Sequence, residues 1–308
     1  MITVGGENLI DYVQNAFDER LPVYTAIPGG SCYNVAIAIA RQDQPVTYVT
    51  PISVDSLGNI LADRLLADGV KIGAPRSPAP TSLAVVSVSS GQPSYQFYRN
   101  GTAERDISAR HLDESIKKST RIFHIGSLSL IEGEDADLWE HKFRELYQNG
   151  VITSLDPNAR PVVVNDRKSY VKRLKRMLKH ACVLKLSDED LEYLCPKMSQ
   201  EEAFAELCAN CGAPLIILTK GIDGATVRTP KHQFDVKSVH TDLLKDTVGA
   251  GDTFMGTILV ELYRRSLKAH EIERLSLEEV KRIVERATIA AAVNCQSSGC
   301  NPPYTKDI

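Results

Sequence analysis

The chain has 308 residues, 43% of them hydrophobic and 24% charged, with a formal net charge of −3. This is ordinary globular composition, enough for a large core in one large domain or two smaller ones. The slightly negative balance argues against a nucleic-acid or membrane-surface binder, and no uncharged apolar stretch reaches the about 18 residues that a membrane helix needs.

The opening MITVGGENLIDYV lacks a basic region followed by an apolar run, so no signal peptide is expected. ITVGGENLI reads as a first strand, with Asp11 at its end. Gly29 and Gly30 lead into SCYNVAIAIARQ, whose apolar residues recur at helical period. VTYVTPI is a strand, and DSLGNILADRLLADGV a helix closed by Gly69. RIFHIGS, GVITSLDPN, CVLKLS and APLIILTKG are further strands separated by helical stretches. Two helices follow a glycine-rich turn near the end: FMGTILVELYRR and SLEEVKRIVERATIAAAVNCQ. Alternation of this kind predicts an α/β fold, a mostly parallel sheet with helices on both faces.

Two regions break the alternation. Residues 11–27 and 82–105 alternate apolar and polar residues between turn signals, as half-exposed antiparallel strands do. Each leaves the α/β core and returns to it. They are expected to form a small β lid over the C-terminal strand edges, where α/β folds bind ligands. No repeat, low-complexity tract or linker interrupts the chain, so residues 1–308 read as a single domain. The seven cysteines are scattered and odd in number. They read as reduced cytosolic thiols, which predicts a cytoplasmic protein. Cys208 and Cys211 form one CxxC with no second pair at zinc spacing, and the preceding EEAFAEL places them on a helix as structural residues.

The segment DTVGAGDTF carries the chemistry. Gly249, Ala250 and Gly251 have little or no side chain, so the backbone can approach a ligand with its N–H groups exposed. The helix that follows adds the partial positive charge of its N-terminus. Asp252 stands at that helix end, placed to take a proton from an attacking hydroxyl. The plainer reading is a glycine turn with Asp252 as a helix cap, and this stretch alone does not separate the two. The Walker pattern GxxxxGK[ST] and the dinucleotide pattern GxGxxG are both absent.

DTVGAGDTF is similar to the C-terminal signature of the ribokinase-like (PfkB) carbohydrate kinases. The resemblance runs nearly end to end and in the family's order: GGENLID, PGGSCYNVAIAIARQ, the DSLG segment from Asp55, FYRNGTAER, FHIGSLSL, SLDPNARP, KLSDEDLEYL, ILTKGIDGA, DTVGAGDTF and AAVNCQSSG. GENLID, HIGSLSL and DPNARP look most like fructokinases. The resemblance implies a three-layer αβα fold with a small antiparallel lid, and an ATP- and Mg²⁺-dependent kinase acting on a primary hydroxyl of a small sugar. Another substrate of the same fold (ribose, 2-keto-3-deoxygluconate, a nucleoside or a phosphorylated sugar) is the first rival. A non-catalytic sugar or nucleotide sensor is a second. A binding module whose lid strands are a protein interface is a third.

The family's roles carry over position by position. Asp11 would accept from vicinal sugar hydroxyls, Gly29 and Gly30 would let the sugar lie against backbone, and Asn34 would supply both a donor and an acceptor. Phe97 and Tyr98 on the lid would shield the sugar from water. Arg99 would read a hydroxyl or a carboxylate, with an ordinary solvated strand arginine as the equal alternative. Lys185 and Ser187 fall on one strand-to-loop segment toward the nucleotide. Asp190, where the family usually has Glu, would reach Mg²⁺ through water, or would only favour the helix dipole of DEDLEYL. Thr219, Lys220, Gly221 and Gly224 would follow the phosphates and ribose, with Lys220 touching phosphate or extending into solvent. Ala291, Ala292, Asn294 and Cys295 would leave room for adenine. Asn158 would lie near the phosphates, and Arg160 would only pair with Asp156. Asp246 and Val248 match positions whose carbonyls hold K⁺ in some relatives. Lid strands often pair between subunits in this family, so a homodimer is expected.

Overall fold

The computed structural model describes residues 1–18, 21–89, 92–241 and 243–308. In chain order the strands and helices are β1 (Ile2–Val4), β2 (Leu9–Asp18), β3 (Leu21–Gly29), α1 (Ser31–Arg41), β4 (Val46–Tyr48), β5 (Ile52–Ser53), α2 (Ser56–Ala67), β6 (Lys71–Ile72), β7 (Arg76–Ser77), β8 (Leu83–Ser89), β9 (Gln92–Tyr98), α3 (Ala109–Ser115), β10 (Ile122–Gly126), α4 (Glu134–Gln148), β11 (Ile152–Asp156), α5 (Arg167–Leu178), β12 (Val183–Ser187), α6 (Asp188–Leu194), α7 (Gln200–Asn210), β13 (Leu215–Thr219), β14 (Ala225–Arg228), β15 (Gln233–Val236), α8 (Ala250–Arg264) and α9 (Leu277–Asn294).

Nine strands form the central sheet in the order β15-β14-β13-β12-β11-β10-β1-β4-β6. Every pairing from β13 to β6 is parallel, and β14 and β15 extend the sheet as an antiparallel edge. Both faces are covered, as parallel sheets require. Ile2, Val4, Val46 and Ile152 pack with α1, α2, α8 and α9, while Phe123, Ile125, Leu155 and Leu184 pack with Trp139 and Phe143 of α4, Tyr170 of α5 and Phe204 of α7. The α/β architecture expected from the sequence is therefore present.

The excursions at 11–27 and 82–105 also form strands, in a small sheet of order β3-β2-β8-β9. β2 pairs antiparallel with β3, and β8 with β9. The two hairpins meet along a parallel seam, with Asp11 opposite Ala84. Residues 19–20 and 90–91, which fall in the predicted lid, lie outside the described residues. One expectation is corrected. ITVGGENLI is not one strand: β1 stops at Val4, and Asp11 lies near the start of β2. The cause is steric. A Cβ on Gly5 would fall 2.6 Å from the Trp139 ring, and Gly6 has φ +137 with a Cβ position 2.3 Å from Cys32 Sγ. The chain turns there instead of extending.

α1 and α8 position the site. Residues 31–39 of α1 and 252–262 of α8 are buried all round, as runs such as VAIAIA and ILV dictate. Gly256 brings the two helices together, since a Cβ there would lie 2.7 Å from Ala38 Cβ. Cys208 sits on α7 and Cys211 caps it, and all seven cysteines are free thiols. No described helix is long and apolar enough to cross a membrane.

Candidate active site

The glycine-rich turn ends in Gly249, the N-cap of α8, at φ +77. A side chain is excluded there both by that left-handed conformation and by Cys300, whose Sγ would lie 2.2 Å from an added Cβ. α8 starts at Ala250, so GAGD forms its first turn, where the leading N–H groups have no carbonyl partner within the helix. Beneath that turn stands Lys185 of β12, its Nζ 3.0 Å from where a Gly251 Cβ would be. Sequence reading placed Lys185 toward the nucleotide but did not bring it under the glycine turn.

Lys185 is 4% exposed and pairs at 2.9 Å with Asp156 Oδ2 at the end of β11, itself fully buried. Burial alone would lower the Lys185 pKa, but the Asp156 carboxylate, with Asp190 and Asp252 farther off, outweighs burial and raises it. The ammonium is therefore charged at neutral pH. This corrects the expected Arg160–Asp156 pair. Arg160 instead bonds locally to Asn158 Oδ1 at 2.6 Å, and Lys185 takes Asp156 Oδ2.

Asp252, the third residue of α8, is 7% exposed. Its Oδ1 accepts from Ser31 Oγ at 2.7 Å and its Oδ2 from Asn34 Nδ2 at 2.8 Å, both on α1. Burial raises its pKa, opposed by the Asn34 and Ser31 hydrogen bonds and by the charges of Lys185 and Arg160. Asp252 does not cap α8 with its side chain, so the plain cap reading fails; Gly249 is the cap. Asn34 Oδ1 is buried without a hydrogen-bond partner among the described residues.

Toward the small sheet, Asp11 lies against Gly29, where a Cβ would be 2.5 Å from Asp11 Oδ2. Burial pushes the Asp11 carboxyl up to about 6, against the opposing charge of Arg160. Gly30 has φ +119 and leaves no room for a Cβ beside the Glu7 carbonyl, 2.6 Å away. Phe97 is half-buried, and Tyr98 is 50% exposed at the end of β9. Arg99 is neither solvated nor free. It is 9% exposed and forms a bidentate pair with Glu104 at 2.7 and 3.2 Å, so a ligand would have to compete with that carboxylate.

At the C-terminal ends of two neighbouring parallel strands, Ser187 of β12 lies opposite Thr219 of β13. Ser187 caps α6 in a reciprocal box with Asp190. Asp190 Oδ2 also accepts from the Ser187 N–H at 2.9 Å, and Oδ1 from the Ala159 N–H at 2.6 Å. Its carboxylate is fully occupied and 4% exposed, so it does not fit direct metal ligation. It fixes the Asn158–Arg160 loop, in which Asn158 adopts φ +38. Lys220 pairs with Asp235 at 3.2 Å on the exposed edge. Gly221 has φ +54, and Gly224 closes the same turn, its N–H bonding to the Gly221 carbonyl. A Cβ on Gly224 would lie 2.1 Å from the Val236 carbonyl oxygen. Ala291 and Ala292 are partly buried on α9, and Cys295 caps that helix. The Cys295 carbonyl accepts from the N–H groups of Lys245 and Asp246. Asp246 accepts from Val248 N–H and Gly299 N–H, joining the turn to the C-terminal segment. Asn294, fully buried, donates to the Val248 carbonyl at 2.8 Å and accepts from Thr253 Oγ1 and Asn301 N–H. Among the described residues, no group of three or more His, Cys, Asp or Glu could hold a metal ion.

A cavity of about 880 Å³ opens at the opposite end of the sheet, lined in part by Cys182, Cys208, Cys211 and Arg228. None of the predicted site residues borders it.

Sequence reading missed three residues at this site. Ser31 follows the Gly29-Gly30 pair directly, and that was the available signal. Glu7, whose Oε1 accepts from the Ser31 N–H at 2.7 Å, gave none, because the turn that buries it was read as strand. Cys300, behind Gly249, is distant in sequence.

A family profile described as "pfkB family carbohydrate kinase" matches residues 2–307. The chain is 35% identical over 263 residues to a fructokinase of Rhizobium leguminosarum bv. trifolii, covering 85% of this chain and 79% of that one. The ATP-bound fructokinase of Xylella fastidiosa superposes with a TM-score of 0.89 at 25% identity, over 99% of this chain and 96% of that chain. The fructokinase of Vibrio cholerae O395, bound to fructose, ADP and calcium, superposes with a TM-score of 0.83 at 24% identity, over 97% and 93%.

Proposed function

The chain belongs to the pfkB family of carbohydrate kinases, and from that membership we propose that it transfers the γ-phosphoryl group of ATP to a primary hydroxyl of a small sugar of the fructose class. One observation carries the chemistry: a buried carboxylate, Asp252, in the first turn of a helix above the charged Lys185 ammonium.

The sugar hydroxyl lies between Asp252 and the γ-phosphate. Asp252 orients the hydroxyl and takes its proton as the new O–P bond forms and the bond to the β,γ-bridging oxygen breaks, with ADP leaving. The N–H groups of Gly249 and Gly251 and the Lys185 ammonium face the charge on the transferring phosphoryl, while the Ala250 N–H, donated to the Thr247 carbonyl at 3.1 Å, holds the turn in shape. Asp11 and Asn34 bind sugar hydroxyls, and the open Asn34 Oδ1 supports that role. Gly29 and Gly30 bring the sugar against backbone, and Phe97 and Tyr98 exclude water. Arg99 acts through Glu104 to hold the lid strand. Asn158, Ser187, Thr219, Lys220, Gly221, Gly224, Ala292 and Cys295 line the nucleotide path. Mg²⁺ would supply charge that neutralises the nucleotide phosphates, and Asp190 would act on it only indirectly, through the Ala159 loop. K⁺ would be held by the carbonyls of Asp246 and Val248, in a turn that the Asp246 carboxylate fixes by accepting from the Val248 and Gly299 N–H groups. The seven free thiols support a reducing, cytoplasmic setting.

The test is a panel with ATP and Mg²⁺, with and without K⁺, scored by ADP release: fructose, glucose, ribose, 2-keto-3-deoxygluconate and a nucleoside. Fructose is expected to give the highest kcat/KM; ADP release with none of them would remove the assignment. We also infer a homodimer through the small sheet, which exposes Leu21, Val23, Tyr95 and Tyr98. A monomer mass by light scattering would exclude it.

Asp11 gives a pH prediction. Its carboxyl, raised to about 6, is ionised above that pH and protonated below it. Protonation removes an acceptor for sugar hydroxyls. The KM for sugar is expected to climb roughly tenfold per unit as pH falls below 6, and Asp11→Asn should lack that limb. A KM flat from pH 8 to 5 would detach Asp11 from the sugar.

A further inference from the structure

The two donors that hold Asp252 differ chemically. Asn34 presents an amide N–H, which can only donate to Oδ2; Ser31 presents a hydroxyl to Oδ1, and a hydroxyl rotates to donate or accept. A proton arriving on Oδ2 would meet another hydrogen. A proton arriving on Oδ1 can be met by the Ser31 oxygen.

We propose that Ser31 is a positioning residue that decides where Asp252 holds the sugar's proton: it donates to Oδ1 while Asp252 is ionised, then turns and accepts from Oδ1–H once the proton has moved. This rests on the reading of Asp252 as the base. No net proton passes through Ser31. Its O–H only rotates, and the proton on Asp252 leaves to solvent when the site reopens.

Ser31 is built for one position. It is 7% exposed, it opens α1, and its N–H is held by Glu7 Oε1 at 2.7 Å. The rotated O–H needs a buried acceptor. Glu7 is 1% exposed, and its Oε2 is buried with no partner among the described residues. We assign it as that acceptor. The groups that act on Asp252 come from several elements: Ser31, Asn34 and the Cys32 thiol on α1, Asp156 and Lys185 at the strand ends, Arg160 on the loop after β11, and Cys300 in the C-terminal segment. Glu7, whose carboxyl burial pushes up to about 7, faces Ser31 from the turn after β1 and is unchanged in every variant, so the difference between the Ser31→Ala and parent profiles reads the Ser31 hydroxyl.

The experiment compares pH profiles of kcat and kcat/KM for the parent, Ser31→Ala, Ser31→Thr and Asp252→Asn. In Ser31→Ala the acid limb is expected to move up by about one pH unit or more, what a lost hydrogen bond to a charged group is worth. Its kcat should fall roughly tenfold with the KM for sugar little changed, and Ser31→Thr should restore both. A Ser31→Ala profile that overlays the parent's while Asp252→Asn is inactive overturns the role of Ser31 and leaves the base assignment standing. An active Asp252→Asn overturns both. If Ser31→Ala does not fold, Ser31→Cys replaces it; its weaker donor should move the limb the same way by less, and an unmoved limb defeats the proposal.

Discussion

Asp252→Asn is expected to lower kcat by ~10²–10⁴-fold, the range that a general base contributes, while sugar and ATP affinities stay within a few-fold. The variant should fold. Its amide oxygen can accept from Asn34, and its amide N–H can donate to the Ser31 hydroxyl, so both buried partners of the carboxylate are kept. Stability gives an independent check. Burial raises the Asp252 pKa above its unfolded value, so its contribution to stability is complete only at acid pH and is lost as pH rises through the folded pKa. Asparagine has no charge to bury. The thermal midpoint at neutral pH should therefore be no lower than the parent's. Near-parent turnover in the variant would remove Asp252 from the chemistry, and a collapsed midpoint would show that the loss of activity was structural.

Lys185→Met is expected to lower both stability and activity, by separable routes. The substitution keeps most of the side chain's volume but strands Asp156, which is fully buried and whose Oδ1 already lacks a partner among the described residues. Breaking a buried pair from one side typically costs about 3–5 kcal/mol. The double variant Lys185→Met/Asp156→Asn removes the stranded charge and should recover most of that loss. It should not recover turnover, because the cation beneath the first turn of α8 would still be missing. Urea midpoints and single-turnover rates on the parent and the two variants separate the effects. If the double variant regains activity along with stability, Lys185 has only a structural role.

The path from sequence to this site was uneven. The strand ends were legible because each parallel strand is a short apolar run closed by a polar or glycine residue, as in CVLKLS and APLIILTKG. The glycine turn was legible because Gly249 sits at positive φ against another segment, a demand that glycine alone meets. The break after β1 was hidden. Gly5 and Gly6 can extend as well as turn, and only Trp139 and Cys32, far along the chain, decide between the two. Ion-pair partners were the least legible. Arg160 is closer in sequence to Asp156 than Lys185 is, yet the register of β11 beside β12 gives the carboxylate to Lys185. Asp190 was read either as an indirect, water-mediated partner of Mg²⁺ or as a first-turn carboxylate of α6; its bond to the Ala159 N–H depends on how α6 meets the loop after β11, which the sequence does not display.

The seam between β2 and β8 has one more consequence. Each hairpin is too small to stand by itself as a sheet, and the parallel pairing of Asp11 with Ala84 welds the two into one plate. Asp11 on the second strand and the Arg99–Glu104 strut at the end of the ninth are then joined through one continuous hydrogen-bonded sheet. On the proposed function, a tilt of that plate would move Asp11 and the Phe97–Tyr98 cover in the same stroke, so that both contacts with the sugar would be made and released together.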